Sequence, residues 1–393
     1  MSDKQDFFNY LAPTSPFPLG LEIDRGDGVY LFDVHGKKYM DLIAGIGVAS
    51  LGHAHPEVTE AVSRQIRKYG HVMVYGEYIQ KPVVQLAKAL AARLPNGLQS
   101  AFFVNSGTEA NEAAMKLAKR ITGRYKIIAF DKSYHGNTQG SMSVSGNEYR
   151  KRAFRPLIPG IRFIEFNDTV GLDCIDESIA AVIAEPIMGD AGVVIPKREY
   201  MKQLRKKCTD TGAQLIFDEV QTGIGRTGKM FAFEHFGIQP DILTLAKGLG
   251  GGLPIGAMIS SYDNMQQFSH DPMLGHITTF GGNPVCCAAA LATLKEILKP
   301  GILDKIEEKG AFFEEELRHP EIVAIRRKGL MMAIELKNEE LVNKVIEKAL
   351  DKGIIVYWFL STRNSFRISP PLNITFDELE LASSILKDIL SNL

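Results

Sequence analysis

The middle of the 393-residue chain alternates short apolar segments with longer amphipathic segments. The short segments are apolar almost throughout, which is typical of strands that are covered on both faces. This alternation predicts βαβ units and a mostly parallel sheet. The predicted strands are residues 101–105, 126–130, 161–166, 181–184, 214–218, 242–245 and 255–259, and the predicted helices are 108–121, 198–211 and 284–298.

The two ends of the chain carry a different pattern. Residues 26–33 and 34–42 each place turn residues between alternating apolar and polar positions, which predicts β-hairpins. The elements predicted from residue 301 onward are a helix, strands at 323–329 and 331–336, a helix at 340–352, a strand at 354–359 and a helix at 376–391. We therefore predict a large domain at 51–298 and a smaller α+β domain at 299–393, with residues 1–50 packed against the smaller domain.

Composition narrows the range of functions. The 45 Lys and Arg residues balance 46 Asp and Glu residues, for a net charge of −1. This balance argues against nucleic-acid and membrane-surface partners, because both require a concentrated positive field. We see no secretory signal and no apolar run of membrane-spanning length, so we expect a cytoplasmic protein. The four cysteines provide neither a disulfide framework nor a metal-binding CxxC pair, so we expect a reducing compartment and no metal site.

Two charged residues follow predicted buried strands. Lys247 ends the segment ILTLAK, where desolvation disfavours its charge and makes its amine able to form a Schiff base with a carbonyl. Asp218 ends the segment QLIFD, 29 residues before Lys247. One crossover between the strands places their carboxyl ends side by side, where α/β sheets build their sites. The alternatives are a surface lysine and an aspartate that only caps a turn.

Two further segments lead from a strand into a loop with polar residues. Ser106, Gly107 and Thr108 precede a long helix, and Ser106 has the spacing from Glu109 of a capping box. The amides at that helix terminus form an anion site, although a capped helix without a ligand remains the alternative. Tyr134 follows another strand and can stack on a flat ring, unless it is an ordinary loop tyrosine.

Taken together, the segments resemble the class III, or ω-amino-acid, aminotransferases, which are pyridoxal-phosphate enzymes of fold type I. The resemblance covers nearly the whole chain and rests on the order and spacing of six motifs. They are SGTEA at 106–110, YHG at 134–136, AEPIMGDAGVV at 184–194, IFDEVQTGIGRTG at 216–228, LAKGLGGGLPIGA at 245–257 and TTFGGNPV at 278–285. The family resemblance implies a seven-stranded, mostly parallel sheet covered by helices, and a smaller domain.

The resemblance also implies a role for each matching residue. Lys247 is then the lysine that bonds to the cofactor, and Asp218 is the partner of the pyridine nitrogen. The remaining cofactor contacts that it implies are Ser106, Gly107 and Thr108 at the phosphate, Tyr134, His135 and Val220 around the ring, Gln221 at the phenolic oxygen, and Glu185 behind the site. Thr279 resembles a threonine that reaches the phosphate of a neighbouring subunit, which implies a homodimer. Arg367 resembles an arginine that binds a substrate carboxylate.

The pattern is most similar to the acetylornithine and ornithine aminotransferases, but it departs from them. Asn137 stands where these relatives carry an arginine, and Pro16 and Phe17 occupy a position where ornithine aminotransferases tend to have a tyrosine. Asp190 stands where a glutamate usually pairs with the arginine that matches Arg367. Because Asp is one methylene shorter, we expect the Asp190–Arg367 pair to be water-bridged or absent.

Three functions remain open from the sequence. The first is ping-pong transfer of an amino group from N-acylornithine, ornithine or another primary amine to an oxo acid, with 2-oxoglutarate the expected acceptor. The second is an aminomutase, decarboxylase or phospholyase that uses the same residues. The third is a protein that binds pyridoxal phosphate without catalysis.

Overall fold

The computed structural model describes residues 3–393. Its strands are β1 (Ile23–Asp27), β2 (Tyr30–Asp33), β3 (Lys38–Asp41), β4 (Ser100–Val104), β5 (Lys126–Phe130), β6 (Ile161–Ile164), β7 (Ile179–Ala184), β8 (Gln214–Asp218), β9 (Ile242–Leu245), β10 (Gly256–Ser260), β11 (Ile322–Lys328), β12 (Met331–Leu336), β13 (Ile354–Ile355), β14 (Tyr357–Trp358) and β15 (Ser365–Ile368). Its helices are α1 (Asp3–Tyr10), α2 (Ala44–Gly47), α3 (Pro56–Ile66), α4 (Lys81–Ala91), α5 (Gly107–Thr122), α6 (Gln139–Val144), α7 (Glu148–Lys151), α8 (Arg198–Thr211), α9 (Tyr262–Met265), α10 (Pro284–Ile297), α11 (Ile306–Glu316), α12 (Glu339–Asp351) and α13 (Phe376–Ser391).

A seven-stranded sheet lies at the centre of the molecule, with strand order β4-β10-β9-β8-β7-β5-β6. All its strands are parallel except β10, which runs antiparallel to both neighbours. The fully buried pattern of β7 and β9 agrees with their apolar sequences, because helices cover both faces of a parallel sheet. The seven strands predicted from the sequence, and the mostly parallel sheet, are confirmed.

Helices α5 and α8 pack on the central sheet, and α10 packs against α3 and α4. Each of these helices buries one apolar side, as in the run of alanines in α5 that faces the sheet. Gly123 ends α5 in a left-handed conformation, and Gly212 ends α8 in the same way. No helix in residues 3–393 has the length and apolarity that crossing a membrane requires.

A small sheet joins the two ends of the chain. Strands β1, β2 and β3 form an antiparallel meander, and β13 pairs in parallel with β3, with Ile354 opposite Met40. The hairpins predicted at 26–33 and 34–42 thus form as β1–β2 and β2–β3. The second small sheet has the order β11-β12-β15-β14.

The segment 354–359 differs from its prediction. Its apolar sequence predicts one strand, but the structure breaks it at Val356 into β13 and β14, which belong to different small sheets. Strand β15 is not predicted by the sequence pattern. It has only four residues, and the charged Arg367 interrupts its apolar sequence. The fold pairs Arg367 with Tyr357 on β14 and with Ala333 on β12.

Candidate active site

A cavity of about 560 Å³ opens at the carboxyl edge of the central sheet. This is the edge at which parallel α/β sheets collect polar groups from several strand ends. The predicted site residues that line the cavity are Ser106, Gly107, Thr108, Tyr134, His135, Asn137, Glu185, Asp218, Val220, Gln221 and Lys247. Arg367, Asp190 and Thr279 are not among its lining residues.

The amino terminus of α5 forms one end of the cavity. Ser106 is the N-cap residue, and its Oγ accepts a hydrogen bond from the Glu109 amide at 3.3 Å. The reciprocal half of the predicted capping box is missing, because the Glu109 carboxylate accepts from the backbone and side chain of Asn105 instead. The first amides of a helix have no acceptor within the helix, so this end of the cavity attracts an anion.

Two glycines allow the chain to pass close to this helix terminus. A Cβ on Gly107 would lie 2.7 Å from the Val220 methyl groups. A Cβ on Gly136 would lie 2.3 Å from Thr108 Oγ1, and Gly136 also has a positive φ of 129°. Thr108 Oγ1 in turn contacts Ser141 Oγ at 2.5 Å. This end of the cavity, at the amino terminus of α5, is called the anion end. It is packed so closely that a side chain at either glycine would displace neighbouring residues.

Asp218 is held by three donors at the end of β8. Its Oδ2 accepts from Asn111 Nδ2 at 2.7 Å and lies 2.8 Å from His135 Nδ1, while its Oδ1 accepts from the Val220 amide at 3.0 Å. Asn111 is only 1% exposed, and its Oδ1 accepts from Thr244 Oγ1 at 2.7 Å. This network fixes a carboxylate that points into the cavity from a buried position.

Asn111 is a site residue that the sequence pattern alone does not predict. Its signal is a buried amide in the alanine-rich face of α5, one turn after Gly107. A buried polar group of this kind requires partners, and here they are Asp218, Thr244 and the carbonyl of His135.

Glu185 lies behind the cavity, at the end of β7. Its Oε1 accepts from the Tyr134 amide at 3.1 Å, and its Oε2 accepts from the Gly189 amide at 2.9 Å. Burial raises the pKa of Glu185 to about 7, and the negative charge of Asp218 acts in the same direction. Glu185 thus orients the backbone of the loop that carries Tyr134.

Lys247 follows β9 in an unusual backbone conformation. Its φ is +43°, which is uncommon for a residue other than glycine and concentrates at functional sites. Burial lowers the pKa of Lys247, and the positive charge of Arg367 lowers it further. A lysine with a lowered pKa presents more of its neutral, nucleophilic amine at neutral pH.

The prediction that Asp190 and Arg367 are water-bridged or unpaired is wrong. Arg367 Nη2 donates to Asp190 Oδ1 at 3.3 Å, and both side chains are buried. Asp190 lies in a turn closed by the Met188–Val194 bridge, and this turn packs it against Arg367 of the small sheet. The contact is a single hydrogen bond and is not bidentate.

The remaining predicted residues lie at the sides of the cavity or outside it. Burial raises the pKa of the Tyr134 phenol, and the nearby charge of Asp190 adds to this effect. Gln221 reaches over Gly189, where a Cβ would lie 2.0 Å from the Gln221 Oε1 atom. Thr279 lies away from the cavity of its own chain, with its Oγ1 3.3 Å from the Tyr75 hydroxyl.

Comparison with known proteins agrees with this arrangement. A model of the family described as aminotransferase class-III matches residues 10–390. The chain is 40% identical over 381 residues to the acetylornithine aminotransferase of Caldanaerobacter subterraneus subsp. tengcongensis, and the match covers 94% of each protein. It is 39% identical over 381 residues to the putrescine aminotransferase of Pectobacterium atrosepticum, covering 92% of this chain and 81% of that relative. The solved ornithine aminotransferase of Toxoplasma gondii is 30% identical and superimposes with a TM-score of 0.91, covering 100% of this chain and 96% of that chain.

Proposed function

The chain belongs to the class III aminotransferases, which are enzymes that depend on pyridoxal phosphate, and we propose that it transfers an amino group from an N-acylornithine, ornithine or another primary ω-amine to 2-oxoglutarate. The names of the three relatives support this donor class, because acetylornithine, putrescine and ornithine each carry a terminal amine. One observation carries the proposal. Asp218 ends β8, Lys247 follows the adjacent parallel strand β9, and both residues line the same cavity.

The residues of the cavity fit pyridoxal phosphate. Gly107 and Thr108 would offer helix-terminal amides to the phosphate, and the glycines at 107 and 136 let Val220 and Thr108 pack closely around this helix terminus. Val220 and Tyr134 supply an apolar and an aromatic surface for the ring. In this proposal Gln221 would contact the phenolic oxygen and Asp218 the ring nitrogen, and both residues line the cavity. His135 supports this fit through its contact with Asp218.

When bound, pyridoxal phosphate supplies an electron sink for the negative charge that develops at the substrate carbon. Asp218 would hold the ring nitrogen and keep it protonated. Asn111, His135 and the Val220 amide hold the carboxylate in place for this contact. Its position is fixed before substrate binds, which avoids a cost of reorganisation during the reaction.

Lys247 carries the proton transfers. Its Nζ would accept a proton and give it up again during the reaction, a general acid–base role that a lowered pKa favours. The same atom would serve in both halves of the ping-pong cycle.

Substrate recognition in this proposal depends on Arg367, Asn137 and Asp190. The guanidinium of Arg367 binds a substrate carboxylate, since its planar donors match that group. Asn137 lines the cavity as a neutral side chain, so it makes no ionic contact with a second carboxylate. This favours donors whose end opposite the reacting amine is uncharged or bound elsewhere.

We also propose an assembly and a location. Residues 51–298 form the domain that binds the cofactor, residues 299–393 form the smaller domain, and residues 1–50 pack with the latter. Two copies form a homodimer in which Thr279 reaches the phosphate bound by its partner. The four cysteines are not disulfide-bonded, which supports a reducing cytoplasmic environment.

A donor screen tests the proposed reaction. N-acetylornithine, ornithine and putrescine are each incubated with the cofactor-loaded enzyme and with 2-oxoglutarate or pyruvate, and Lys247→Ala serves as the blank. We expect amino acid formation from the oxo acid with at least one donor, and none with the variant. Consumption of an amine without any requirement for an oxo acid would contradict transamination and favour a decarboxylase, aminomutase or phospholyase.

A further inference from the structure

The Asp190 carboxylate has two donors besides Arg367, and both come from a neighbouring segment of the chain. The Leu360 amide donates to Asp190 Oδ1 at 2.9 Å, and Ser361 Oγ donates to Asp190 Oδ2 at 2.8 Å. Arg367 Nη2 shares Oδ1 with Leu360, at the longer distance of 3.3 Å. Asp190 is 4% exposed, so these contacts lie in a region of weak solvent screening.

The direction of the Ser361 hydrogen bond is fixed. Asn147 Nδ2 donates to Ser361 Oγ at 3.0 Å, so the serine accepts from the amide and gives its only proton to Asp190. Asp190 Oδ2 thus already accepts a hydrogen bond that does not depend on Arg367, which makes it a weaker acceptor for a second donor. A bidentate pair between Asp190 and Arg367 would require that same oxygen.

Arg367 retains unused hydrogen-bonding capacity as a result. Within residues 3–393 its buried Nε has no hydrogen-bond partner. The guanidinium carbon lies 4.6 Å from the centre of the ring of Phe359, the residue that precedes Leu360. A buried guanidinium with an unpaired N–H is prepared to bind an anion, because desolvation has already been imposed on it.

We infer that Ser361 is a positioning residue that weakens Asp190 as an acceptor for Arg367 and so keeps Arg367 available to a substrate carboxylate. The inference rests on the proposed function, in which Arg367 binds that carboxylate. Without the serine hydroxyl, Asp190 Oδ2 loses its donor and attracts Arg367 more strongly, and the stronger pair then competes with the substrate. Ser361 therefore determines how readily this site accepts a carboxylate, although it acts only through Asp190.

The test measures both binding and turnover of the cofactor-loaded enzyme. Glutarate, a dicarboxylate with no reacting group, is titrated calorimetrically into wild type, Ser361→Ala and Ser361→Thr. We expect Ser361→Ala to raise the Kd for glutarate and the KM for 2-oxoglutarate by about threefold to tenfold, the size of one ordinary hydrogen bond, with a smaller change in kcat. Ser361→Thr restores the hydroxyl and should restore both constants.

Two further variants isolate the cause. Thr362→Ala removes a neighbouring hydroxyl that is not among the donors to Asp190, and we expect wild-type constants from it. In an Asp190→Asn background, Ser361→Ala should change the glutarate Kd less than twofold, because no carboxylate remains to strengthen its pair with Arg367. An unchanged Kd in Ser361→Ala, or an equal effect in the Asn background, would overturn the inference. Absence of transamination by wild type would instead contradict the proposed function, and the glutarate titration would still report on Ser361.

Discussion

Asn111 Nδ2 donates to Asp218 Oδ2 at 2.7 Å, and the same amide nitrogen also donates to the His135 carbonyl oxygen at 2.8 Å. One side chain of α5 thus connects the end of β8 with the loop that follows β5. Thr244 of β9 completes the connection by donating to Asn111 Oδ1. The carboxylate that the resemblance assigns to the pyridine nitrogen is therefore positioned from three separate elements.

Replacement of Asn111 tests this positioning. We expect Asn111→Ala to lower kcat by about tenfold to a hundredfold, because supporting hydrogen bonds behind a reacting group contribute on this scale. Steady-state kinetics and the absorbance of bound cofactor measure rate and occupancy. Thr244→Val removes the outer hydrogen bond alone and should give a smaller loss, whereas a wild-type kcat in Asn111→Ala would contradict the positioning role.

The central sheet is predictable from sequence because its strands are apolar on both faces and bounded by polar turns. The same property allows the positions of Asp218 and Lys247 to be predicted, because each is the first charged residue that the chain reaches at the end of an apolar strand. Asn111 is different because its role depends on which strands α5 covers, and no local pattern contains that information. The Asp190–Arg367 contact is missed for a related reason. Side-chain length alone predicts a gap, but the distance also depends on where the turn after β7 places the backbone of Asp190, which no local pattern reveals.

Removing the charge of Arg367 should change the pKa of Lys247 measurably. Because Arg367 lowers the pKa of Lys247, Arg367→Met is expected to raise it, and the uncompensated Asp190 acts in the same direction. The titration midpoint of Lys247 can be measured by competitive acylation of the cofactor-free enzyme across pH. Mass spectrometry of the Lys247 peptide then gives the extent of reaction at each pH. We expect a wild-type midpoint below the ordinary value of 10.5 and a higher one in the variant. Arg363→Met changes an exposed arginine nearby and should leave the midpoint in place, so equal shifts in both variants would contradict the effect.

Gly136 should be essential to the anion end of the cavity. A Cβ at this position would lie 2.3 Å from Thr108 Oγ1, so Gly136→Ala has to displace Thr108 or the loop. We expect the Kd for pyridoxal phosphate to rise by at least about tenfold, the effect of losing roughly one charge-assisted hydrogen bond. Gly123→Ala is the matched control, because Gly123 also has a positive φ but open space around it. It should cost stability without weakening cofactor binding, and equal losses in both variants would count against a local effect at Thr108.

We expect an exposed apolar groove near Thr279 to lie in the interface of the proposed dimer. Ile79 is 96% exposed and Met273 is 79% exposed, and both line a groove of about 740 Å³ beside Thr278. Such exposure of large apolar side chains marks an interaction surface. We expect Ile79→Asp to shift sedimentation towards the monomer and to weaken cofactor binding, because Thr279 then loses its partner. Val170→Asp, at a site that is 74% exposed elsewhere, is the control, and a wild-type chain that sediments as a monomer would refute the assembly.

Glu185 should make stability depend on pH. Unfolded, its carboxyl ionises near the ordinary pKa of 4.5, whereas burial raises the folded pKa to about 7. The folded state therefore binds more protons between these values, and this residue's contribution to stability falls as the pH rises through that window. Glu185→Gln removes this titration. Between pH 5 and pH 8, the free energy of unfolding of the variant should therefore rise relative to that of wild type by at most roughly 2 to 4 kcal/mol.

Gln has one carbonyl oxygen for the Tyr134 and Gly189 amides, so the absolute stability of the variant can be lower at every pH. The decisive quantity is the difference between the two thermal unfolding temperatures, measured without cofactor, which should move in favour of Gln as the pH rises. Parallel curves for the two proteins would show that burial does not raise this pKa.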